Sequence, residues 1–132
     1  MIGIDTNVLV RLLVADDSRQ AQAVGEFFAQ RSGGDPVFVS AVVLMEALWV
    51  LRRRFGYSRS VVIDVLRKMM ASPEISFEHG DRLADILANG DPSTSDIADH
   101  LIAWSSEEAG CLRIVTFDKR AVKRNPSMEL LA

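Results

Sequence analysis

Asp5 closes the apolar segment M-I-G-I-D, Glu46 interrupts A-V-V-L-M-E-A-L-W-V, Asp99 lies in S-D-I-A-D-H-L-I-A, and Asp118 follows L-R-I-V-T-F. A carboxylate on or beside an apolar surface must be paired, exposed at an edge, or gathered with others around a cation, because an unpaired buried charge is costly. Gathering around a cation is the reading that uses all four. Hard divalent ions such as Mg²⁺ take oxygen ligands and keep several waters. Two such ions about 4 Å apart can activate a water and steady the leaving oxygen when a phosphodiester is cut. These residue types therefore point towards metal-assisted phosphodiester hydrolysis.

Each acid also has a plainer explanation. Asp5, followed by Thr6 and Asn7, suits an Asx turn or a helix cap. On a helix, Glu46 shares its face with Val42, Val43, Trp49 and Val50 through three- and four-residue spacing. Packing gives no reason for a carboxylate in that patch, and the alternative is an ion pair to Arg52, Arg53 or Arg54. Asp96 and Asp99 lie roughly 60° apart around a helix and can lean towards one site. First-turn helix electrostatics explain Asp96 well and Asp99 less well. Asp118, two residues after Thr116, equally suits a turn at a strand end, and Lys119 and Arg120 could pair with it or meet phosphate.

Other chemistries find less support. With only His79 and His100 as histidines and no H-E-x-x-H, a zinc enzyme is a poor fit. Cys111 is the only cysteine, which removes intrachain disulfides and thiolate clusters. The chain has no G-x-x-x-x-G-K, no G-x-G-x-x-G and no defensible Ser-His-acid order. His100 stands four residues after Asp96, within reach across one turn, but reads first as a helical surface residue. His79, Tyr57 and Trp104 read as structural or capping residues, and Cys111 as core.

The elements that must position these side chains follow from periodicity and punctuation. Residues 2–5, with Val8–Val10 around the turn, read as a buried strand, central in its sheet, running into a loop and a helix. A helix is predicted from Asp16 to about Gln30, with Asp16 and Asp17 as its start and R-S-G-G-D-P as its end. Val37–Val39 reads as a strand, and Ser40 caps a helix over Ala41–Arg54. Another helix runs from about Arg59 to Met70, then E-I-S-F as a strand and a helical spacing over His79–Leu87. After the loop N-G-D-P-S-T-S, Ser93 or Ser95 caps a helix over Asp96–Ala109, whose apolar stripe is Ile97, Leu101 and Trp104 and whose stop is Gly110. Leu112–Thr116 is a strand, Asp118 opens a loop, and M-E-L-L adds a last short strand. Helices alternating with short apolar strands predict an α/β class: a three-layer α/β/α domain around a mostly parallel sheet, where reactive groups collect at the carboxyl ends of strands.

The 132 residues suit one domain over 1–132. With 48% hydrophobic and 25% charged residues the composition is that of an ordinary globular protein, and a net charge of −3 removes a globally basic nucleic-acid footprint. A site loaded with metal is locally less negative than its residues suggest, so a nuclease stays in play. The longest apolar stretch, about ten residues around Glu46, is too short and interrupted to span a membrane. No secretion leader is visible at the start, so the expectation is a soluble, cytoplasmic protein.

Taken in order, M-I-G-I-D-T-N-V-L-V, S-A-V-V-L-M-E-A-L-W-V, T-S-D-I-A-D-H-L-I-A and I-V-T-F-D-K resemble the PIN-domain nucleases, specifically the VapC-type toxins of bacterial toxin–antitoxin pairs. The resemblance runs over essentially the whole chain. It implies a Mg²⁺- or Mn²⁺-dependent endoribonuclease, often acting on structured RNA such as tRNA, with a metal-activated water as nucleophile. It also implies homodimerisation and silencing by a cognate antitoxin. On this pattern Asp5, Glu46, Asp99 and Asp118 would be direct or water-mediated metal ligands and Asp96 a peripheral one. Asn7 and Thr116 would stand behind them. Arg11, Arg52, Arg53, Arg54, Lys119 and Arg120 are candidates for phosphate contacts. His100 departs from the pattern, since many relatives carry a small residue there.

Two rivals belong to other classes. A haloacid-dehalogenase-like phosphotransferase also starts with an aspartate after its first strand, but needs a second acid where this chain has Asn7. A non-catalytic PIN-like interaction module would not need the full acid set. The apolar excess in L-W-V-L and V-V-I-D-V-L further predicts that some of Leu48, Leu51, Val61, Val62 and Val65 lie at a homodimer or antitoxin interface.

Overall fold

Every strand ladder among the described residues is parallel, as the alternation of helices and short apolar strands requires. The computed structural model describes residues 1–14 and 18–132. The chain forms two units, Met1–Asp91 and Pro92–Ala132. The arrangement is α/β/α with parallel strands, the expected class.

In the first unit, β1 (Ile2–Gly3), β2 (Val37–Val39) and β3 (Ile75–Phe77) form a sheet in the order β1-β2-β3. Ile2 pairs with Val37, and Val37 in turn with Ile75. The centre of this sheet is therefore β2, whose Val37 and Val39 are buried, and not β1, the central strand expected from the sequence. Ile2 is 41% exposed, because β1 has a partner on one side only. Val8–Val10 belong to a helix, α1 (Thr6–Leu13), rather than to a turn beside the strand.

The remaining helices of this unit are α2 (Arg19–Ala29), α3 (Ala41–Arg53), α4 (Arg59–Met70) and α5 (Gly80–Ala88). Serine hydroxyls start three of them. Ser18, Ser40 and Ser58 accept from the backbone N–H of Ala21, Val43 and Val61, each cap contributing about 1 kcal/mol. The Asp16 and Asp17 helix start lies outside the described residues. Leu44, Leu48 and Leu51 of α3, at helical spacing, are buried together with Val62, Ile63 and Leu66 of α4. Each fully buried side chain of this kind contributes roughly 1.5–3 kcal/mol.

In the second unit, α6 (Thr94–Glu108), β4 (Ile114–Thr116), α7 (Lys119–Arg124) and β5 (Met128–Leu130) follow one another, and β4 pairs with β5. Ala103, Ala121 and Met128 make a small core with Ile114 and Val122. The helix α7 stands where a loop was predicted: its charged sequence K-R-A-V-K-R has one buried position, Ala121, too little for periodicity to register. Gly110, at φ 93°, ends α6 as anticipated, while Cys111 beyond it is exposed rather than core, because that turn carries the chain out to solvent. Among the described residues no helix is long and apolar enough to cross a membrane.

Candidate functional site

Asp5 follows β1 and caps α1: its Oδ1 accepts from the Val8 N–H at 3.0 Å. The plainer reading of this residue as a helix cap is therefore realised, and it consumes one carboxylate oxygen only. Thr6 and Asn7, in the first turn of α1, line a cleft of about 470 Å³ between α1 and α3. Glu46 and Val50 of α3, and Arg54 and Phe55 just beyond it, line the same cleft. Asn7 and Glu46 thus meet one cavity, next to the capping Asp5.

The reason Glu46 stands there differs from the one periodicity suggested. The face it shares with Val42 and Trp49 is open, with Val42 67% and Trp49 60% exposed. The buried stripe of α3 runs along Ala41, Leu44, Ala47, Leu48 and Leu51 instead. Glu46 is exposed and avoids the desolvation cost attributed to it. Among the described residues it shows no ion pair with Arg52, Arg53 or Arg54. Arg52 instead donates through Nη1 to the Tyr57 carbonyl at 2.9 Å, closing the α3–α4 turn.

In the second unit Asp96 and Asp118 each lie within electrostatic reach of Asp99. Burial first, and then the negative charges of Asp118 and Asp96, hold the Asp99 carboxyl above its ordinary value of 3.8. His100 and Arg124 oppose that rise. Asp99 is half-buried on α6.

Asp96 is only 4% exposed, and both of its oxygens are engaged. Oδ2 accepts from the Ser93 N–H at 2.9 Å, and the Asp96 N–H donates to Ser93 Oγ at 3.1 Å, a reciprocal capping box at the start of α6. Oδ1 lies 3.1 Å from Nε of Arg124 on α7. Burial opposes the charge of Asp96, yet Ser93, Arg124 and Arg120 outweigh it and lower the pKa. Nothing in the spacing of Asp96 and Arg124 announces this ion pair.

Asp118 follows β4 and caps α7, its Oδ1 accepting from the N–H groups of Arg120 at 2.8 Å and Ala121 at 3.3 Å. Its own N–H donates to Thr116 Oγ1 at 3.0 Å, so Thr116 helps to fix the turn that presents the carboxylate. His100 stacks on Trp104 with ring centroids 5.4 Å apart and 22° between planes. Burial lowers its pKa below 6.5, against a hydrogen bond to the Asn125 side chain that favours the charged ring, so on balance the imidazole favours its neutral form. Trp104 is buried, and His79 occupies the cap position of α5 in a left-handed conformation, φ 59°.

Of the apolar residues assigned to an interface, Leu48, Leu51 and Val62 are buried within the fold. Periodicity could not tell the core side of α3 from its outer side, because apolar residues surround the helix. Val61 is exposed and Val65 half-buried.

Comparison with known families finds that residues 2–126 match the PIN domain. No protein of curated function matches the chain.

Proposed function

The chain belongs to the PIN-domain family, and from that premise we propose that it is a metal-dependent endoribonuclease, the toxin component of a type II toxin–antitoxin pair. The observation that carries the proposal is Asp99, half-buried, with Asp118 and Asp96 close enough to oppose its ionisation. Such an arrangement is unfavourable by itself and is relieved by a divalent cation. The donors are all hard oxygens, which fits Mg²⁺, with Mn²⁺ as a substitute, better than zinc.

Asp5, Glu46, Asp99 and Asp118 would hold the metal, directly or through water, within one nuclease domain over residues 1–132. The match running from residue 2 to residue 126 supports treating the chain as that one domain. When bound, Mg²⁺ supplies the Lewis acidity that activates a water towards phosphorus and offsets charge on the phosphate. The residues contribute orientation. Capping pins one oxygen of Asp5 and one of Asp118, which fixes the direction of the second oxygen in each. Thr116 holds the turn at Asp118, and Asn7 offers an amide beside Glu46. Asp96, with both oxygens committed, acts by anchoring α6 and keeping Arg124 beside the acids.

A homodimer and a protein antitoxin complete the proposal, and the open face of Val42 and Trp49 is the apolar surface that supports it. The test is incubation of the protein with total RNA and Mg²⁺, with and without chelator, followed by mapping of the new ends. Discrete cuts that vanish with chelator are expected. RNA left intact by a folded protein with Mg²⁺ or Mn²⁺ would sink the nuclease reading in favour of a binding module.

A further inference from the structure

The cleft between α1 and α3 has more in it than the acid chemistry uses. Its floor is apolar, from Val10 and Val14 on the α1 side and Val50 on α3. At its rim stand Arg54 and Phe55, with the Arg54 guanidinium 5.8 Å from the centroid of the Phe55 ring. Phe55 is 40% exposed, a large apolar ring left at a surface. Arg54 makes no ion pair among the described residues, whereas its neighbour Arg52 is spent on the Tyr57 carbonyl. Of the three consecutive arginines, Arg54 is the one that faces the cleft.

We propose that this cleft is a subsite for one unpaired nucleotide of the RNA substrate, its base stacked on Phe55 over the valine floor and its phosphate met by Arg54. The inference rests on the nuclease reading above and adds a residue-level account of how substrate is held. A volume of about 470 Å³ lies in the range of small-molecule sites, large enough for one nucleotide and too small for a duplex. Base–aromatic stacking tolerates any base, because every base has a π-face, and a guanidinium beside the ring adds a cation both to the stack and to the backbone phosphate. Asn7 on the opposite wall carries a donor and an acceptor for the edge of the base. A base must leave its helix to enter such a cleft, so the substrate class is single-stranded RNA or a loop.

The test compares the full-length protein with Phe55→Leu, Phe55→Trp and Arg54→Gln. Leu keeps the apolar volume and removes the π-face; Trp keeps both. Cleavage of a short single-stranded oligoribonucleotide in Mg²⁺ supplies KM and kcat. Fluorescence anisotropy with the same oligonucleotide, each change being placed in the Asp99→Asn background, supplies affinity without cutting. Phe55→Leu is expected to weaken binding roughly tenfold and raise KM with kcat largely kept, while Phe55→Trp matches the parent. Arg54→Gln is expected to weaken binding and flatten its dependence on salt by about 0.7 in logarithmic slope. Circular dichroism confirms folding of each variant. Wild-type protein that cuts RNA while all three variants bind and cut alike would overturn the subsite alone. Wild-type protein that neither binds nor cuts would overturn the subsite and the nuclease reading together.

Discussion

Asp5 and Asp118 occupy the same local position in two different parts of the chain: each follows a parallel strand and caps the next helix with its Oδ1. The cap and the catalytic proposal use different oxygens. Asparagine retains a cap acceptor but loses the charge, so Asp5→Asn and Asp118→Asn should each leave the fold intact and abolish Mg²⁺-dependent RNA cleavage. Asp5→Ala should in addition lose about 1 kcal/mol of stability with its cap. Urea denaturation beside an RNA cleavage assay separates the two effects, and full activity in either asparagine variant would remove that residue from the reaction.

Asp96 and Asp99 should respond to the same change with opposite signs. The folded state lowers the pKa of Asp96, so its ionised form stabilises the protein above the ordinary value of 3.8, and that stability is lost as pH falls through the depressed pKa. Asp96→Asn should therefore destabilise by about 1–3 kcal/mol at neutral pH, through the weakened capping box and the unpaired Arg124. The pKa of Asp99 is raised, so its ionised form is strained at neutral pH and is relieved as pH falls through the raised value. Asp99→Asn should stabilise the metal-free protein while abolishing cleavage. Thermal melts of both variants at neutral and acidic pH check the signs, and a destabilised Asp99→Asn would contradict the account of that residue.

Glu46 is exposed and makes no ion pair among the described residues, so the fold has little stake in its charge. Glu46→Gln should change stability by less than about 0.5 kcal/mol and still eliminate cleavage. A large loss of stability would show that Glu46 has a structural partner.

Trp49 and Val42 lie on the outer side of α3, and their replacement should not disturb the core. Trp49→Lys should therefore leave the unfolding midpoint nearly unchanged while shifting a homodimer towards monomer in analytical ultracentrifugation. An assembly state unchanged by the substitution would remove this face from the proposed homodimer.

Apart from α1 and α7, helix boundaries were legible to within a few residues because they depend on local chemistry: Ser40, Ser58 and Ser93 cap where a serine precedes an apolar-periodic run, and Gly110 stops α6 where a left-handed residue is required. Parallel pairing was legible too, since short apolar strands separated by helices leave few alternatives. The acids could be singled out one by one from their apolar surroundings. The side of α3 that is buried could not be read, because Val42, Leu44, Leu48 and Trp49 are all apolar and only the packed neighbours choose among them. The ion pair of Asp96 with Arg124, the upward pressure on Asp99 and the meeting of Asn7, Glu46, Arg54 and Phe55 at one cleft were also decided by tertiary structure alone. Each depends on groups distant in sequence, for which spacing along the chain carries no record of distance or solvent exposure.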